Sequence, residues 1–180
     1  EKQKPPPTPP SIKARILLRS CRISAVDGGK KSAITNLHVA LNLPALDKPA
    51  HLDASFALPA SGRMRIAADV TPMRNGAFDP HGTIELALEN ASLKALDGFS
   101  SLFANVPLLQ GVANARGKYT IAGLPAVEGS MEIAVADLVA GGGRLGKDSI
   151  ILPRMVIRQR TKIDREGTGD LSFDLDAAPA

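Results

Sequence analysis

The chain has 180 residues, 44% of them hydrophobic, 22% charged and only 3% aromatic, with a net charge of +4 from 22 basic and 18 acidic side chains. The basic residues are spread along the whole length and rings for stacking bases are scarce, which argues against a nucleic-acid interface; with no Trp and one Tyr, any interior has to be filled by Ala, Val, Ile and Leu. One cysteine cannot form an internal disulfide, three histidines give no Cys/His cluster of metal-binding spacing, and no cofactor or metal is expected.

Residues 1–10, with five prolines after a charged start, read as a Pro-rich linker with nothing to bury. Residues 11–180 read as a single β-domain holding one repeat unit and most of a second, because apolar and polar residues alternate and Gly, Pro, Asn or Asp break the pattern every ten or so positions. The first strand is expected over 12–25, with a parity change near Leu17 and Leu18 that marks a bulge, and the second over 34–43. The clearest alternation comes next. Leu52, Ala54, Phe56 and Leu58 share one face, Pro59 and Gly62 close the strand, and Met64, Ile66, Ala68 and Val70 repeat the pattern, so the pair is expected to form an antiparallel hairpin.

A turn is expected at Asp79-Pro80-His81-Gly82, followed by a strand over 83–90 with Ile84, Leu86 and Leu88 on the apolar side. The period then changes. Leu93, Leu96, Phe99, Leu102, Phe103 and Val106 recur at steps of three and four behind Ser92, which predicts one short helix over 93–106, capped by Ser92 and covering an end or edge of the sheet. Strands resume at 113–121, 129–139, 150–163 and 169–176. A faint internal echo links Arg22-Ile23-Ser24-Ala25 with Asp137-Leu138-Val139-Ala140, each followed by glycines, basic residues and an apolar strand. The fold class is therefore mainly β: an antiparallel twisted sheet forming an open groove or partial barrel of repeat units, with one short capping helix.

Residue patterns that could carry chemistry have simpler readings. Gly141 to Lys147 has the spacing of a phosphate-binding loop, but Asp148 stands where a magnesium-holding hydroxyl belongs and a strand containing Pro153 follows, so a connection between strands is expected. His38 and His51 fall on the polar parity and His81 in the expected turn, so all three are read as solvent-exposed, and no Gly-x-Ser-x-Gly motif is present. Asp170, Asp174 and Asp176 alternate with Leu171, Phe173 and Leu175, the pattern of a wet strand face. Asn90-Ala91-Ser92 fits the helix start better than a glycosylation acceptor, and Cys21 alternates with Ile23 and Ala25 as a buried thiol. No catalytic residues are assigned. The run 98–115 is too often interrupted by polar residues to span a membrane, and without a visible signal peptide the targeting and anchoring segments are expected outside this stretch.

The strand ending Ala68-Asp69-Val70-Thr71-Pro72, the turn after it, the run Gly82 to Leu96 with its Leu-x-Leu-x-Asn spacing, and the element Gly129 to Leu138 together resemble AsmA/TamB-like bacterial envelope proteins, over roughly residues 60–160. The resemblance implies a long twisted β-groove with an apolar lining, fixed to the inner membrane by a helix outside this region and crossing the periplasm. It also implies a part in outer-membrane biogenesis and phospholipid transport in which acyl chains lie along the groove and no reaction occurs. The groove lining would then be Leu52, Ala54, Phe56, Leu58, Met64, Ile66, Ala68, Val70, Ile84, Leu86 and Leu88. Expected partners are phospholipid acyl chains and other envelope proteins, with the parent protein anchored in the membrane elsewhere. The alternative is a structural or partner-binding β-domain that uses its exposed sheet edges.

Overall fold

The structure is a computed structural model and describes residues 12–27, 30–58, 60, 62–95, 108–141 and 148–178. Nine strands follow one another as β1 (Ala14–Asp27), β2 (Lys30–Leu43), β3 (Ala50–Ala57), β4 (Arg63–Arg74), β5 (Ala77–Ser92), β6 (Leu108–Ala122), β7 (Val127–Gly141), β8 (Ser149–Ile163) and β9 (Gly169–Ala178). Each pairs antiparallel with its neighbours in sequence, so the sheet is a meander with β1 and β9 as its outermost strands among the described residues. Extensive contacts run only between adjacent strands. The result is one open layer, and alternation assigns a role to each of its faces.

Register makes the faces explicit. On one side Leu18, Val39, Ala54, Ile66, Leu86, Gly117, Met131, Gln159 and Phe173 follow one another across the strands, flanked by the row Ile16-Leu41-Leu52-Ala68-Ile84-Tyr119-Gly129-Thr161-Leu171. On the other side the row Arg15-Asn42-His51-Asp69-Thr83-Thr120-Glu128-Lys162-Asp170 is polar from edge to edge.

This order breaks along a line near one end. Ser20, Asn36, Asn90 and Asp137 have φ of 53, 52, 50 and 53°, and the ladders slip beside each of them. Three of the four are Asn or Asp, which tolerate this left-handed conformation better than other side chains. Such bulges bend a strand, increase its twist and reverse the parity beyond them. The Asn114 side-chain oxygen accepts the Asn90 N–H at 2.9 Å, replacing a ladder bond lost at the bulge. Because of the reversal at Asp137, Leu138 joins Val135 on the apolar side, where both bury with Ala91 and Ala113 against Leu58, Leu88, Leu93, Ile133, Leu152 and Met155.

Several sequence expectations shift. The first-strand bulge, expected near Leu17 and Leu18, lies between Leu18 and Cys21. Cys21 is half-buried where a buried thiol was expected, because β1 is an edge strand. Asp79-Pro80-His81-Gly82 belongs to β5 and is no turn; Pro80 falls at a slip in the β4–β5 ladder, where its missing N–H leaves no bond unmade, and its carbonyl accepts the Gly123 N–H at 2.9 Å. The reversal between β4 and β5 is instead the two-residue turn Asn75-Gly76, with φ of 53 and 78°. Since a Cβ at Gly76 would meet nothing within 4 Å, Gly76→Ala is expected to cost only the backbone strain, about 1 kcal/mol in a urea titration followed by circular dichroism.

Of the expected helix, residues 96–106 lie outside the described residues; Lys94 and Ala95 begin a 3₁₀ turn, and Ser92 Oγ accepts the Ala95 N–H at 3.3 Å, as an N-cap would. The linker 1–10 and the glycine-rich connection 142–147 also lie outside the described residues, and Ser149 opens a strand. Arg22 to Ala25 and Asp137 to Ala140 each fall in the later part of a strand that leads into an antiparallel neighbour.

Candidate functional site

Strand register places ten of the eleven residues expected to line the apolar face on one side of the sheet. Ladder partners are Leu52 with Ala68, Ala54 with Ile66, Phe56 with Met64, Ala68 with Ile84, Ile66 with Leu86 and Met64 with Leu88, while Val70 stands opposite Gly82. Leu58, just past β3, joins the buried cluster, held there by its N–H donating to the Gly62 carbonyl at 2.7 Å. All eleven are half-buried, sheltered along the sheet by one another but without a packed second layer among the described residues. The surface continues on both sides, through Val39 and Leu41 to Ile16 and Leu18, and through Ile133 and Ile157 to Leu175. Toward the edges it becomes more open: Ile16 and Leu18 are 47% and 41% exposed, and Leu171, Phe173 and Leu175 are 59%, 67% and 66% exposed.

A polar stripe interrupts this face, and alternation alone did not reveal it. Tyr119 lies against Gly129, where a Cβ would collide with the ring and with the Lys118 carbonyl, and its hydroxyl donates to Gln159 Oε1 at 2.9 Å. Gln159 in turn donates to Thr161 Oγ1. The available signal was Gln159 and Thr161 at the same parity as Ile157 and Ile163.

The opposite face is a lattice of exposed charge pairs. Its members are His51 with Asp69, Arg65 with Asp53, Lys118 with Glu85 at 2.9 Å, and Arg158 with Glu132 at 3.0 Å and Asp174 at 3.6 Å. Donating a hydrogen bond to Asp53, and then lying beside its charge, holds the Arg65 guanidinium above its ordinary range; Glu85 acts likewise on Lys118. Pairs so exposed contribute little to stability. They do keep this side wet. Two depressions of about 590 and 670 Å³ lie here, lined chiefly by Lys118, Thr120, Glu128, Ser130, Arg160 and Lys162, and by Arg15, Asn42, His51, Asp53, Arg65 and Asp69. These are gaps between long charged side chains.

His38 is exposed on the polar face, as expected, whereas His81, expected at the surface, is 26% exposed. Its Nδ1–H donates to the Asp79 carbonyl at 2.9 Å, leaving Nε2 to accept from Arg74 at 3.4 Å, so the imidazole ties down the irregular start of β5. Asp170, Asp174 and Asp176 line the exposed polar side of β9. Among the described residues no group of three or more His, Cys, Asp or Glu could hold a metal ion, and no helix is long and apolar enough to cross a membrane. Comparison with known protein families, with curated proteins and with solved structures finds no match.

Proposed function

We propose that the chain is a non-catalytic β-module of a bacterial envelope protein, located in the periplasm and anchored to the inner membrane outside this stretch, and that it handles phospholipid, or scaffolds its transfer, between the two membranes. The observation that carries this reading is the apolar face itself. Its aliphatic side chains stay half-exposed on an open single-layer sheet. The apolar surface that covers β1 to β5 and passes beside the Tyr119–Gln159–Thr161 stripe through Ile133 and Ile157 is of a size that marks an interaction site on a folded protein. Eight spacings between nine strands, at about 4.8 Å each, separate the edges by roughly 38 Å. That exceeds the roughly 30 Å hydrocarbon thickness of a whole bilayer, so an extended acyl chain fits across the face with room to advance.

The chemistry required is modest. Covering ten methylenes at about 0.8 kcal/mol each gives on the order of 8 kcal/mol before ordering costs, enough to hold a chain without trapping it. Small residues such as Ala54, Ala68 and Ala115 leave space along the rows, and the charged opposite face keeps that side in water. The resemblance to AsmA/TamB-like proteins supports the same reading. Protein purified from bacterial membranes without added detergent and extracted for mass spectrometry is expected to yield phospholipid in near-stoichiometric amount. Lipid-free protein would reject the proposal.

A further inference from the structure

Among the described residues, the two outermost strands of the sheet carry opposite charge on the same face. On the polar side β1 presents Arg15, Arg19 and Arg22, and β9 presents Asp170, Asp174 and Asp176. Among the described residues the three arginines, Asp170 and Asp176 have no ion-pair partner, and Asp174 has only the 3.6 Å contact with Arg158. On the apolar side the same edges expose Ile16 and Leu18, and Leu171, Phe173 and Leu175. Both edges also carry main-chain N–H and C=O groups with no neighbouring strand among the described residues.

Register sharpens the match. The polar row that starts at Arg15 crosses all nine strands and ends at Asp170, so a second sheet set beside β9 without vertical offset would bring its Arg15 opposite Asp170. Continuing upward, Leu17 would face Ser172 and Arg19 would face Asp174. The bulge at Ser20 adds one residue to β1, so the next polar position is Arg22, and it would meet Asp176. On the other face Ile16 would meet Leu171, Leu18 would meet Phe173 and Cys21 would meet Leu175.

We infer that β1 of a second copy of this chain pairs with β9, extending the sheet head to tail. Odd-numbered strands of the meander run in one direction, so the new pairing is parallel and keeps the apolar faces on the same side. Symmetric alternatives are disfavoured by charge: two β9 edges would set aspartates against aspartates, and two β1 edges arginines against arginines. A contact between unlike edges does not close on itself, so copies add in series. This association is independent of lipid binding, since it uses the edges and main chain and not the interior of the apolar face.

Analytical ultracentrifugation of the full chain tests it. At about 0.01 M salt, where charges act over about 30 Å, the average mass should rise continuously past two chains with increasing concentration; at about 1 M it should fall back toward the monomer. The variant Arg15→Glu, Arg19→Glu, Arg22→Glu and the variant Asp170→Arg, Asp174→Arg, Asp176→Arg should each associate about 100-fold more weakly, with strand content unchanged by circular dichroism. Mixed together, the two should recover association, because each now offers the edge that the other needs. If either triple variant loses strand content, the single changes Arg19→Glu and Asp174→Arg should give the same pattern at about fivefold. A wild-type chain that stays monomeric, a dimer that grows no further, or a mixture that fails to recover would each overturn the inference.

Discussion

Gly82→Ala is expected to remove about 4 kcal/mol of stability, enough to leave a protein of ordinary marginality largely unfolded. Gly82 lies in the middle of the sheet, opposite Val70 in β4 and Ile121 in β6, with a φ of +157°. A Cβ there would fall inside the Asp69 carbonyl oxygen and within 2.7 Å of Val70 Cα. Both obstacles are main chain, so no rotamer change relieves them; the β4–β5 ladder must open or the residue must leave its conformation. Urea unfolding followed by circular dichroism measures the loss, and Gly76→Ala in the neighbouring turn is the control. Equal midpoints for the two variants would show that the close approach at Gly82 is not what holds these strands together.

The double variant Ile66→Asp, Leu86→Asp is expected to lower recovered phospholipid at least about tenfold, while Ala67→Asp, Ala87→Asp leaves it unchanged. Ile66 and Leu86 are directly paired at the centre of the apolar face, and Ala67 and Ala87 sit on the same two strands but point the other way. Aspartate is the informative substitution because its short side chain cannot lift its charge clear of the surface as lysine can. Any acyl chain crossing this point would have to strip water from two carboxylates. Replacing half-buried aliphatics also costs about 1 kcal/mol each in the fold, so strand content by circular dichroism accompanies the lipid measurement. Equal lipid recovery from both double variants would place bound lipid elsewhere.

The common side of the ten apolar strand residues was legible because their strands alternate strictly and lie in the regular part of the sheet, where parity alone decides the face. Parity failed at the bulges. Ser20, Asn36, Asn90 and Asp137 each insert a residue whose effect on its neighbours depends on the adjoining strand, so the common facing of Arg19 and Arg22 was invisible from their odd spacing. Asp79-Pro80-His81-Gly82 misled for a related reason. Proline and glycine ordinarily signal a turn, yet here Pro80 occupies a ladder slip and Gly82 answers a close main-chain contact that only the assembled sheet creates. The real turn, Asn75-Gly76, carried a strong local signal that the adjacent Pro72 and Pro80 obscured. Tyr119, Gln159 and Thr161 escaped because they join across three strands, each looking like an isolated exception.

The meander in which every strand pairs only with its chain neighbours has a consequence for how the protein comes apart. No distant segment has to be found before a hairpin can form, so closure entropy stays small and order spreads outward like a zipper. Loosening then begins at the rims, and β9, exposed along its whole length, can peel away while the middle strands remain joined.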